Sequence, residues 1–157
     1  MLLDFVWWFI LLTFGVLFKS YFHTDPYLPA IILFLQKNKY LSGLLYGLLC
    51  ILILEGYTDL PFGSILLYYM SLISFYFFLK EFFKPESIFF IILLSFIFFP
   101  IYYLSITTIA NLSDLYIDPY FIYSISFKNF ISFPLLWWIY SYFYNKYFFK
   151  RTEIDLV

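Results

Sequence analysis

Two carboxylates, Glu55 and Asp59, stand four residues apart in ILEGYTDLPFGS, residues 53–64, inside a chain that is otherwise strongly apolar. On a helix that spacing puts both on one face, where they could hold a cation or share a proton. A metal site needs further ligands. His23 is the only histidine and Cys50 the only cysteine, and no ligand spacing supports zinc or another metal. Asp25 is the one nearby acid that could in principle join them. The plainer reading is a water-facing boundary between two apolar runs, in which Asp59 and Ser64 suit the start of the next helix.

Other chemistry-bearing patterns are missing from the sequence. It has no H-E-x-x-H, no serine–lysine or paired-aspartate arrangement on an apolar run, and no glycine-rich phosphate loop. His23-Thr24-Asp25 reads as a loop fragment. Neither an enzyme nor a cofactor is expected. Charged residues within a membrane span are functional suspects by default. Here Asp4 and Glu55 fall near the edges of apolar runs and none falls at a centre, which argues against a proton pump, an ion channel or a carrier of charged solutes.

The elements that must position these residues are set by composition. Of 157 residues, 64% are hydrophobic and 12% charged, with a mean hydropathy of +0.90. A soluble domain of this size could not hide so much apolar surface, so an integral membrane protein is expected. A net charge of −1 gives no reason to expect nucleic acid. No cleavable signal is expected at the N-terminus, where Asp4 stands in place of positive charge.

The chain reads as a single all-α transmembrane domain over 1–157. Its six spans are expected at about 2–18, 21–36, 40–55, 63–79, 87–109 and 128–149. The second is short. From Pro26 or Tyr27 to Gln36 it would cover roughly 17 Å, against a hydrocarbon core of about 30 Å. It either begins nearer Tyr21, with Pro26 and Pro29 bending it, or forms half of a re-entrant hairpin. Pro100 should kink the fifth span, and Pro134 falls in the second turn of the sixth. Residues 110–127 are too polar to span and should lie at the interface. With both termini in the cytoplasm, Lys37, Lys39, Lys80, Lys84, Lys146, Lys150 and Arg151 fall inside, and only Lys19 and Lys128 outside. That bias satisfies the positive-inside rule.

Gly43 and Gly47 form a small-xxx-small face on the third span, available to a partner helix or to packing within the bundle. Trp137 and Trp138 lie near the middle of the sixth span. Their N–H groups need acceptors or a wet groove, which suggests that this span faces protein on one side.

The run PYLPAIILFLQKNKYLSGLLYGLLCILILEGYTDLPFGSILLYYM resembles the MreD family of rod-shape-determining membrane proteins. A short apolar segment, a basic turn and a glycine-bearing span lead to an acid, Glu55. Five residues then precede Pro61-Phe62-Gly63, which opens the next span. The ending FPLLWWIYSYFYNKYFFKR is similar to the family's last span and basic tail. There are departures: the acid is glutamate where aspartate is usual, and Ile51 stands where a second glycine is expected. The resemblance implies a six-span bundle similar to the substrate-binding subunits of energy-coupling-factor transporters. It also implies a non-enzymatic scaffold in the bacterial inner membrane, with an MreC-like bitopic partner and, through it, MreB, RodA and its penicillin-binding transpeptidase. Glu55, Asp59, Pro61 and Gly63 would form the outer partner-binding surface, and Gly43, Gly47, Trp137 and Trp138 would serve helix packing or a partner groove. A vitamin-binding transporter subunit is the competing expectation. It would need a polar cavity near the outer face and usually an alanine face on the first span, where this chain has no alanine.

Overall fold

A computed structural model describes residues 2–57 and 60–149, with side chains from 6–57 and 60–147. Asp59 lies outside the described residues. The described chain is helical, with no strand: α1 (Leu2–Phe22), α2 (Tyr27–Gln36), α3 (Tyr40–Tyr57), α4 (Ser64–Leu79), α5 (Ile88–Leu112) and α6 (Pro119–Tyr144), the last running into a π-helical turn, Asn145–Phe149.

The helices form a bundle around α2. This helix has 10 residues, all of them buried, and is about 15 Å long. It is enclosed by α1, α3 and α6, while α4 and α5 complete the ring through the α5–α6 and α3–α4 contacts. Close approach to α2 depends on small residues. The Gly43 position faces Phe34 and Leu35, and the Gly47 position faces Ile31. A Cβ at Gly15 would collide with the Tyr27 ring. Gly43 and Gly47 are therefore spent on packing within the chain. Elsewhere the core is aromatic: Phe98 meets Phe133 edge-on at 4.2 Å, Tyr68 meets Tyr102 at 5.0 Å and Tyr76 meets Phe90 at 5.6 Å.

The outward faces are apolar. Along α3, Gly43, Tyr46, Gly47, Cys50 and Leu54 are buried, while Leu41, Leu44, Leu45, Leu48, Leu49 and Leu52 are exposed. Water would select the reverse. Among the described residues, two helices are long and apolar enough to cross a membrane: α3, with 18 residues, and α5, with 25. At 10 and 16 residues, α2 and α4 are shorter apolar helices.

The helix that carries most of the expected last span begins before it. α6 starts at Pro119, where Asp118 accepts a hydrogen bond from the Tyr120 N–H at 3.0 Å and proline occupies the first turn. The polar character of Asp118-Pro119 is a helix start, since proline loses nothing where its N–H would be unpartnered. Residues 119–127 are thus helical and continuous with the rest of α6. Pro134 in turn falls deep inside α6 and not in its second turn. It cannot donate to the Phe130 carbonyl one turn back. Ser95 Oγ on α5 donates to that oxygen instead, at 2.6 Å.

Lys37, Lys39 and Lys80 gather at one end. Lys37 pairs with Glu86 at 3.5 Å, Lys39 lies over the Tyr144 ring and Lys80 over the Tyr40 ring. The α2–α3 turn, the α4–α5 turn and the end of α6 therefore share that end. The ends of α1, α3 and α5 and the starts of α4 and α6 share the other.

Candidate functional site

Because α2 is short, the α1–α2 connection, residues 23–26, dips into the bundle. His23 takes a positive φ of 55° to make the turn. Asp25 then sits against three elements. Its Oδ1 accepts the Tyr27 N–H at 3.0 Å. The Tyr69 hydroxyl donates to its two oxygens at 2.9 and 2.7 Å. Its own N–H donates to Asn129 Oδ1 at 2.8 Å. Tyr69 is five residues into α4 and Asn129 ten into α6, so this carboxylate lies about 8–15 Å below the helix ends. The sequence reading placed Asp25 in an outer loop; the structure sets it well inside the bundle.

Above it is a cavity of about 340 Å³, within the size range of small-molecule sites, roughly 300–1,000 Å³. Its polar lining is Lys19, His23, Thr24, Asp25, Tyr102 and Asn129. The rest is apolar or aromatic: Leu54, Tyr57, Leu60, Ile65, Ile117, Phe121 and Ile125. Lys19 and Asp25 both line it, and among the described residues Lys19 makes no ion pair. Thr24 is 5% exposed and its Oγ1 has no hydrogen-bond partner. Asn129 spends its oxygen on the Asp25 N–H, which leaves its two Nδ2 donors over.

Glu55 does something else. From the last turn of α3 its Oε2 accepts the Gly63 N–H at 3.0 Å, and its Oε1 accepts those of Ile65 and Leu66, each at 3.0 Å. One carboxylate thus satisfies three of the otherwise unpartnered N–H groups at the start of α4 and places negative charge at the positive end of its dipole. Gly63, at φ 91°, turns the chain into the helix, a conformation glycine alone adopts readily. Pro61 O accepts Ser64 Oγ at 2.6 Å. Glu55, Pro61 and Gly63 are therefore one structural unit, separate from the cavity lining, and Phe62 projects from it 84% exposed.

The two tryptophans differ. Trp137, buried, donates through Nε1 to Gln36 Oε1 at 2.7 Å, and Gln36 Nε2 donates to Pro85 O at 2.6 Å. Trp138 is 62% exposed. Among the described residues no three His, Cys, Asp or Glu side chains gather to hold a metal ion.

Sequence reasoning missed Asp25, Thr24, Lys19 and Asn129 as a cluster. The signal was the brevity of the apolar run after Asp25-Pro26: a helix too short to reach the far end starts inside, and takes its preceding loop with it. The fold and the cavity define the class as an all-helical bundle, over the described residues, with an apolar exterior and a cavity whose largely apolar walls carry a few polar groups. Compared with family models, with curated proteins and with solved structures, the chain matches none.

Proposed function

We propose that this chain is a multi-pass protein of the bacterial cytoplasmic membrane and a non-enzymatic scaffold of the MreD type, helping to maintain rod shape and lateral cell-wall synthesis. The observation that carries the reading is the Glu55–Pro61–Gly63 unit. The spacing on which the resemblance rests is a built joint, in which the acid ending α3 caps α4 through Gly63, Ile65 and Leu66. Two further features support it. Exposed leucines on α3 and exposed phenylalanines at Phe9, Phe78 and Phe96 suit lipid. Cations at the Lys37, Lys39 and Lys80 end support a reading in which that end faces the cytoplasm. In this account the second crossing is completed by α2 and the loop and cavity above it.

A scaffold works by presenting surfaces. Glu55 has both oxygens engaged within the chain, so its contribution to partner binding is to fix the α3–α4 joint, and Phe62 is the side chain offered at that level. An MreC-like single-span protein is the partner proposed, with MreB, RodA and its transpeptidase reached through it. Tagged protein extracted in mild detergent should carry such a partner, and Phe62→Ala should weaken the association without lowering the melting temperature. Protein that comes out folded and without a single-span partner would refute the scaffold.

The cavity favours a second reading, the solute-capturing subunit of an energy-coupling-factor transporter. Its discriminating result is tight binding of a vitamin by the purified protein.

A further inference from the structure

We propose that the cavity above α2 is a binding site for a small zwitterion with an apolar body. Its lining carries one amine, Lys19, and one carboxyl group, Asp25, and among the described residues no ion pair joins them. A ligand of one sign would be attracted by one group and repelled by the other. A ligand with separated positive and negative ends satisfies both.

The polar groups around these charges are set for a guest. Thr24 is 5% exposed, lines the cavity, and its Oγ1 has no partner. A buried hydroxyl left unpaired is costly, and a guest toward which the Thr24 side chain turns relieves that cost. The Nδ2 of Asn129 adds donors beside it. Asp25 is held in place by Tyr27 and by the single hydroxyl of Tyr69, so its carboxylate is oriented and keeps acceptor capacity. Leu54, Ile65, Ile117 and Phe121 supply the apolar walls. This is the usual make-up of a small-molecule site: apolar walls with a few convergent polar groups.

An ammonium and an anionic group on an apolar body occur in free apolar amino acids and in phosphatidylethanolamine. Two arms of one experiment separate these sources. The full-length protein, purified in a non-ionic detergent, is titrated calorimetrically with L-phenylalanine, L-leucine and L-tryptophan in one arm. In the other it is titrated with a short-chain phosphatidylethanolamine. Saturable binding is expected in one arm, and that arm names the source. Lys19→Gln should weaken it about tenfold or more, as loss of a charged hydrogen bond does. Thr24→Val should weaken it several-fold while melting no lower than the parent, because the hydroxyl has no internal partner to lose. The proposal is overturned if folded protein shows no saturable binding in either arm up to millimolar ligand, or if both variants bind as the parent does. The inference stands apart from the scaffold reading, since co-purification tests the one and titration the other.

Discussion

Glu55 changes meaning between sequence and structure. As a solvated boundary residue it would tolerate Gln. With three backbone N–H groups on its two oxygens it should not, because glutamine turns one acceptor into a donor that faces N–H. Glu55→Gln should therefore lower stability by about 1–2 kcal/mol, and Glu55→Ala by at least as much, read as thermal melting in detergent. A Gln variant that melts like the parent would return Glu55 to the role of surface charge. The acid and its distance from Pro61 were visible in the sequence, but which backbone groups the acid would reach was not, since that depends on how the chain turns at Gly63. Gly15 gave no signal at all. Only the packing of α2 against α1 brings Tyr27 onto it. Gly15→Ala should cost about 1–3 kcal/mol by overpacking. Combining it with Tyr27→Leu should recover part of that loss, because the two positions touch.

At the scale of elements, the legible part was the order of helices, the turns between them and the glycine face of α3. Apolar runs and breakers such as Lys37-Asn38-Lys39 carry that information directly. The start of α6 was hidden because Asp118-Pro119 reads equally as a loop and as a cap. The depth of the α1–α2 connection was hidden because it is set by what encloses α2, not by the loop's own residues. The expectation that the paired tryptophans need acceptors separates in the structure into one side chain that has one and one that points outward. Trp137→Phe should cost about 1–3 kcal/mol, since it leaves the buried Gln36 oxygen unpaired. Trp138→Phe should stay within about 0.5 kcal/mol of the parent. Equal effects in parallel melts would contradict the Trp137–Gln36–Pro85 chain as a tie between α6, α2 and the α4–α5 turn.

At the scale of the whole molecule, an apolar exterior, Lys37, Lys39 and Lys80 at one end and a cavity with a few polar groups toward the other describe a bundle whose lateral surface suits lipid or another helix. The proposed role follows from holding such surfaces in fixed relation: the Glu55 joint sets the α3–α4 geometry, and α2 locks α1, α3 and α6 around it. A scaffold of lateral wall synthesis has a phenotype that a solute-binding subunit lacks. The most direct measurement is to deplete the protein in its own cells and follow cell shape together with incorporation of labelled wall precursor along the side wall. The account predicts that rods widen and round up as side-wall incorporation is lost, and that vitamin uptake is unchanged. Cells that stay rod-shaped, with normal side-wall labelling and impaired vitamin uptake, would contradict it.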